Sequence, residues 1–147
     1  MEIINGERLV LGTCYYPEHW DESLWRDDLK RMLENGIEVI RIAEFAWSKI
    51  ERYEGVFNYD FFDRFLDVAA DMGMKVIFCT PTATPPAWLT EKYPEVLNAN
   101  MDGVLYRHGG RRHYNYNSPK YQELTRITKS IEDGDFFTCL LYTSPSP

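Results

Sequence analysis

The sequence predicts an α/β fold built on a parallel sheet, and three observations carry that reading. Short β-branched apolar runs recur near Leu9, Ile37 and Lys75. Between each pair lies a stretch whose apolar residues follow a helical period. Glycine closes both stretches, as Asn35-Gly36 and Met72-Gly73, just before the next apolar run. Strands that read as near-continuous apolar runs, alternating with amphipathic helices, are the βαβαβ signature of a sheet covered on both faces.

Residues 9–14 (LVLGTC) read as a first buried strand, followed by an aromatic cluster holding Tyr15, Tyr16, Glu18, His19 and Trp20. Asp21 is expected to cap a helix running to Glu34, its side-chain oxygen accepting an orphan N–H of the first turn. Trp25, Leu29, Met32 and Leu33 share one face of it, with Arg26, Asp27, Lys30 and Arg31 toward water. The second strand, from Ile37, runs straight into Arg41, Glu44, Phe45 and Trp47. Carboxyl ends of strands are where α/β folds bind ligands. A cation, a carboxylate and an indole gathered there suit a polyol or sugar. They equally suit an ion pair that closes the strand end.

Residues 49–59 read as a polar connection turning at Gly55. Asp60 is expected to cap the next helix, with Asp63 near the positive end of its dipole and Phe62, Phe65, Leu66 and Ala69 as its buried stripe. Residues 75–80 (KVIFCT) form the third strand. Beyond Pro81 and Pro85, Pro86 suits a first helical position because its missing N–H leaves nothing unpaired. Residues 91–117 are a long loop of the kind that carries function. Ser118-Pro119 then opens a further helix with Leu124, Ile127 and Ile131 on one face.

The chain has 147 residues and a net charge of −7. That length supports a core but not eight βα units, which take roughly 250 residues. The acidic balance argues against a nucleic-acid partner. No apolar run approaches the roughly 20 residues of a membrane helix, and no signal peptide is visible, so a cytoplasmic protein is expected. Cys14, Cys79 and Cys139 fit neither a disulfide framework nor a metal pattern. No cofactor is expected. From Glu132 the periodicity fades. Residues 139–147 (CLLYTSPSP) resemble the translation of a transposase adapter used in preparing sequencing libraries. Two segments are therefore expected: 1–131 as folded domain and 132–147 as a non-native tail.

Four stretches together, LGTCYYPEHW (11–20), RIAEFAWS (41–48), TPTATPPAWL (80–89) and RRHYNYNSP (111–119), resemble the N-terminal part of the family 42 glycoside hydrolases, the β-galactosidases. The resemblance implies a partial (β/α)8 TIM barrel, about the first three βα units. It implies retaining hydrolysis of terminal β-galactosides, with a small-molecule β-galactoside as partner and a homo-oligomer open for the full-length protein. The family's two catalytic carboxylates follow the fourth and seventh strands, so neither is expected in this chain. A retaining pair must sit about 5–5.5 Å apart, one protonated and one ionised. Glu18 and Glu44 lie on neighbouring strand ends, but the resemblance gives Glu44 a binding role.

The resemblance carries three residues over as sugar contacts: Arg111, in the motif RRHY, and the polar pair Arg41 and Glu44. A guanidinium fork and a carboxylate donate and accept in fixed directions, which is how an epimeric hydroxyl is told apart. An ion pair with a neighbouring acid is the alternative for Arg111. Arg112 and His113 read as structural, His113 satisfied by a backbone group. Trp47 and Trp88 suit core packing more than sugar stacking. Many members carry Cys where Asn115 stands, the first of four zinc ligands. Asn is a poor zinc ligand beside thiolates, so no metal is expected. Two other functions remain open: a retaining barrel glycosidase of different specificity, and a non-catalytic sugar module using Tyr15, Tyr16, Trp47 and Arg111.

Overall fold

A computed structural model describes the backbone of residues 3–4, 7–110 and 113–127, and the side chains of 9–110 and 113–125. In chain order the elements are β1 (Ile3–Ile4), β2 (Glu7–Arg8), β3 (Leu11–Cys14), α1 (Trp25–Glu34), β4 (Ile37–Ile42), α2 (Trp47–Ile50), β5 (Glu51–Tyr53), β6 (Val56–Phe57), α3 (Asp60–Asp71), β7 (Lys75–Phe78), α4 (Ala87–Lys92) and α5 (Pro119–Ile127). They divide into two compact units. The first takes the described residues up to Ile42 with Tyr59–Cys79; the second takes Ala43–Asn58 and the described residues from Thr80 on.

The first unit holds the three strands the sequence predicts. They form a parallel sheet in the order β3-β4-β7, with Thr13 beside Ile40 and Ile40 beside Val76. Each strand neighbours the next in sequence with no reversal, the order of a barrel wall rather than of a doubly wound sheet. α1 packs on β4 and α3, and α3 packs on β7. Trp25, Leu29, Ile40, Ile42, Phe62, Phe65 and Ala69 are buried there. Trp25 meets Phe65 edge to face at 5.1 Å, and Phe62 meets Phe78 likewise at 5.3 Å. Such pairs add about 0.5–1.5 kcal/mol beyond the area they bury. The exposed pairs Arg26–Asp71 and Arg64–Glu22 contribute little in water.

Several local expectations are corrected. The first strand is shorter than residues 9–14 and is not buried: Leu9 is 57% exposed and Leu11 56%. Among the described residues β3 has a strand neighbour on one side only, so apolar composition alone does not bury it. Asp21 accepts from the Ser23 amide at 2.9 Å, as a cap does, but the turn it closes is a 3₁₀ turn at Glu22–Leu24 that precedes α1. Its hydrogen bonds to Ser23 hold the Asp21 carboxyl below the usual carboxylate range. Asp60 is the first helical residue of α3 rather than its cap, and Leu66 in the predicted stripe is half-buried. Pro86 is the N-cap of α4, one position earlier than expected, with its carbonyl accepting from the Leu89 amide at 3.1 Å. Residues 49–59 are no bare connection: β5 and β6 form a hairpin, with Gly55 at φ 75° in its turn. The sequence reading also missed the hairpin of β1 and β2, although Asn5-Gly6 between them is a strong hairpin signal.

The second unit has its own core, in which Trp47, Leu89, Val96, Tyr114, Tyr121 and Leu124 are buried together and Trp88 and Tyr93 pack against them. Tyr114 and Tyr121 stack at 5.0 Å. Burial, with the Tyr114 charge adding to it, raises the pKa of the Tyr121 phenol, whose hydroxyl donates to the Thr82 carbonyl at 2.7 Å. The long loop folds back on itself through bridges pairing Leu97 with Tyr114 and Ala99 with Leu105. Ser118 caps α5 as expected, its hydroxyl oxygen accepting from the Tyr121 amide at 3.4 Å. Removing it in Ser118→Ala is expected to cost about 1 kcal/mol. In a thermal melt of the chain that is a fall of roughly 3 °C; an unchanged midpoint would show the cap to be idle. Leu124 is buried as predicted, while the Ile127 side chain, Ile131 and residues 132–147 lie outside the described residues. Among the described residues no helix is long and apolar enough to cross a membrane.

Candidate functional site

The carboxyl end of β4 is where the sequence concentrates its polar groups. In the first unit, Ile40 and Ile42 are buried while Arg41 between them is half-buried, as the period-two alternation of a strand requires. Arg41 stands in register with Cys14 of β3 and Ile77 of β7. Its carbonyl accepts from the Tyr15 amide at 2.9 Å. That bond extends the ladder one residue past β3 and fixes the backbone from which the guanidinium springs.

Glu44 opens the second unit and is half-buried. The residue before it, Ala43, is fully buried with φ at 67°. An L-residue with a Cβ in this left-handed region meets a clash costing about 1–2 kcal/mol. No sequence signal marked Ala43. Beyond Glu44, the Phe45 carbonyl accepts from the Thr84 hydroxyl at 2.9 Å. The third predicted contact, Arg111, lies outside the described residues, as does Arg112.

Further along the second unit sits a buried carboxylate that sequence reasoning missed. Glu51 is 3% exposed. Its Oε2 accepts from the Trp47 indole N–H at 2.7 Å and its Oε1 from the Gly55 amide at 2.8 Å. The Glu51 carbonyl accepts from the Trp88 indole N–H at 3.0 Å. Trp47 and Glu51 stand four residues apart, a spacing that brings side chains together on a helical turn. That spacing was the available signal. The carboxylate thus joins α2 to the hairpin turn, and the backbone carbonyl of the same residue holds the start of α4. Trp47 is completely buried, so it offers no face to a sugar.

Tyr15 is likewise buried, its hydroxyl donating to Asp28 at 2.9 Å. Burial first, then Asp28, raises the pKa of that phenol. Of the three aromatic residues of the sugar-module reading, Tyr15 and Trp47 are buried and Tyr16 is half-buried. His113 is buried with Nδ1 against the Gly110 carbonyl, the backbone partner expected of it. Since a carbonyl only accepts, Nδ1 carries the proton. His108, Nδ1 3.0 Å from the Thr90 hydroxyl, has its pKa lowered by burial and by His113 beside it. With Tyr106, Arg107 and Gly110 these histidines line an open cleft of about 270 Å³. Asn115 serves a turn: its Oδ1 accepts from the Asn117 amide at 2.9 Å. Among the described residues no group of three or more His, Cys, Asp or Glu could hold a metal.

Known proteins resemble this chain in sequence and in fold. The β-galactosidase family model of the family 42 glycoside hydrolases matches residues 14–133. β-Galactosidase BgaA of Thermus sp is 47% identical over 117 residues, covering 80% of this chain and 18% of its own length. The crystal structure of the β-galactosidase from the psychrophilic Marinomonas ef1 superposes with a TM-score of 0.78 at 42% identity, over 82% of this chain and 18% of that one. That of the haloarchaeon Halorubrum lacusprofundi gives 0.79 at 40%, over 86% and 20%. The chain thus spans about a fifth of the length of these relatives, and its sequential parallel sheet is part of a (β/α)8 barrel. By sequence and by fold, this chain belongs to the family 42 glycoside hydrolases, the β-galactosidase family.

Proposed function

We propose that this chain is the N-terminal part of the catalytic barrel of a cytoplasmic β-galactosidase that hydrolyses terminal β-D-galactosides with retention of configuration. Identity of 47% over 117 residues to a β-galactosidase supports this reading most strongly, and Arg41 at the carboxyl end of the central strand agrees with it. Arg41, Glu44 and Arg111 contact the galactose. The guanidinium groups donate to ring hydroxyls and the Glu44 carboxylate accepts from one, so an equatorial epimer leaves a polar group unpaired. The general acid/base and the nucleophile belong to later strands of the same barrel, outside this chain. Residues 139–147 are not part of the native enzyme.

The test compares the 147-residue chain with the complete reading frame recovered from the source genome. The chain alone is expected to release no nitrophenol from nitrophenyl β-galactoside. The complete enzyme is expected to cleave it at least ~10-fold faster than the β-glucoside, the discrimination one well-placed polar contact supplies. Cleavage by the chain alone, abolished in Glu18→Gln or Glu44→Gln, would overturn the proposal.

A further inference from the structure

Among the described residues, Ala43 is the non-glycine residue with a positive φ. The other positive-φ residues among them are Gly36, Gly55, Gly73, Gly103 and Gly109. At each of those five an added Cβ would meet nothing within 4 Å. Those are open turns in which only the backbone conformation matters, and glycine adopts it without strain. Ala43 differs on both counts. It has a Cβ, and it is fully buried, so its methyl is enclosed by protein rather than open to water.

The consequence falls on the next residue. In a strand, side chains alternate between faces. Were β4 simply prolonged, Glu44 would share the face of Ile40 and Ile42, both completely buried. A carboxylate among those isoleucines would be desolvated without enough donors. The left-handed residue breaks the alternation and turns the chain, and the Ala43 carbonyl then accepts from the Ala46 amide at 3.0 Å. Glu44 is held within that turn, and the Phe45 carbonyl is tied to Thr84 just after it.

We propose that Ala43 is a positioning residue: its strained, methyl-packed conformation aims the Glu44 carboxylate at the substrate. This rests on the reading of Glu44 as a galactose contact. Glycine would keep the turn but release the lock. A β-branched residue would not enter the left-handed region, and the turn would re-form with Glu44 misdirected.

A double-mutant cycle in the full-length enzyme tests it. Ala43→Gly is expected to raise KM about 5–10-fold with kcat within about twofold, the signature of weakened ground-state positioning. In a Glu44→Gln background the same change is expected to move KM less than about twofold, because residues acting through one contact are not additive. Ala43→Val is expected to lower kcat/KM about 100-fold; should that variant fail to fold, the glycine cycle still decides. An unaltered KM in Ala43→Gly, or a KM increase that persists in full beside Glu44→Gln, overturns the inference alone. A Glu44→Gln enzyme with wild-type kinetics overturns the reading of Glu44 and this inference with it.

Discussion

Glu51→Ala is expected to destabilise the chain by about 4 kcal/mol, a large share of the 5–15 kcal/mol of a typical domain. The substitution removes both acceptors at once. It leaves the indole N–H of Trp47, which is completely buried, and the amide of Gly55 without their partner. A buried donor left unsatisfied costs about 1–3 kcal/mol, and the loss of the side chain's own packing adds to that. Glu51→Gln retains one carbonyl oxygen but turns an amino group toward the other donor, so roughly half the loss is expected. Urea unfolding followed by tryptophan fluorescence measures both. Equal effects of Ala and Gln would show that the negative charge matters rather than the two acceptor atoms. A loss below about 1 kcal/mol for Ala, no more than an average point substitution, would show that the contacts are replaced by water.

Arg41→Met in the full-length enzyme is expected to lower kcat/KM by about 10²–10³-fold, which corresponds to about 3–4 kcal/mol of lost transition-state binding. A guanidinium fork holding sugar hydroxyls in a water-poor site acts through charge-assisted hydrogen bonds, the stronger kind. Arg41→Lys keeps the charge but not the fork, so partial recovery is expected, with KM remaining high. The competing role for Arg41, an ion pair that closes the strand end, makes the opposite prediction. Stability would then fall while the folded enzyme kept its kcat/KM. Kinetics and a thermal melt on the same preparation separate the two.

The strands at Ile37–Ile42 and Lys75–Phe78 were legible from short apolar runs that follow a helix-ending glycine, and they lie where the runs predict. Gly36 and Gly73 take the positive φ that a helix stop requires. Arg41 and Glu44 were legible as candidates because a charge that interrupts an apolar strand near its carboxyl end is unusual without a purpose. The hairpin at 51–57 was hidden because its strands are only two or three residues long, too short for any periodicity to show. The role of Tyr15 depended on Asp28, and that of Trp47 on a glutamate in what read as a connection.

The order of strands and helices and the family of the chain were written in local patterns, because backbone period and turn chemistry act over a few residues. Which apolar residues are buried, which carboxylate is held inside, and which alanine bears a glycine's conformation depended on contacts between distant segments. Leu9 and Leu11 are as apolar as Ile40 and Ile42, yet one pair is more than half exposed and the other completely buried. Burial is a property of neighbours, and neighbours exist only once the chain has folded.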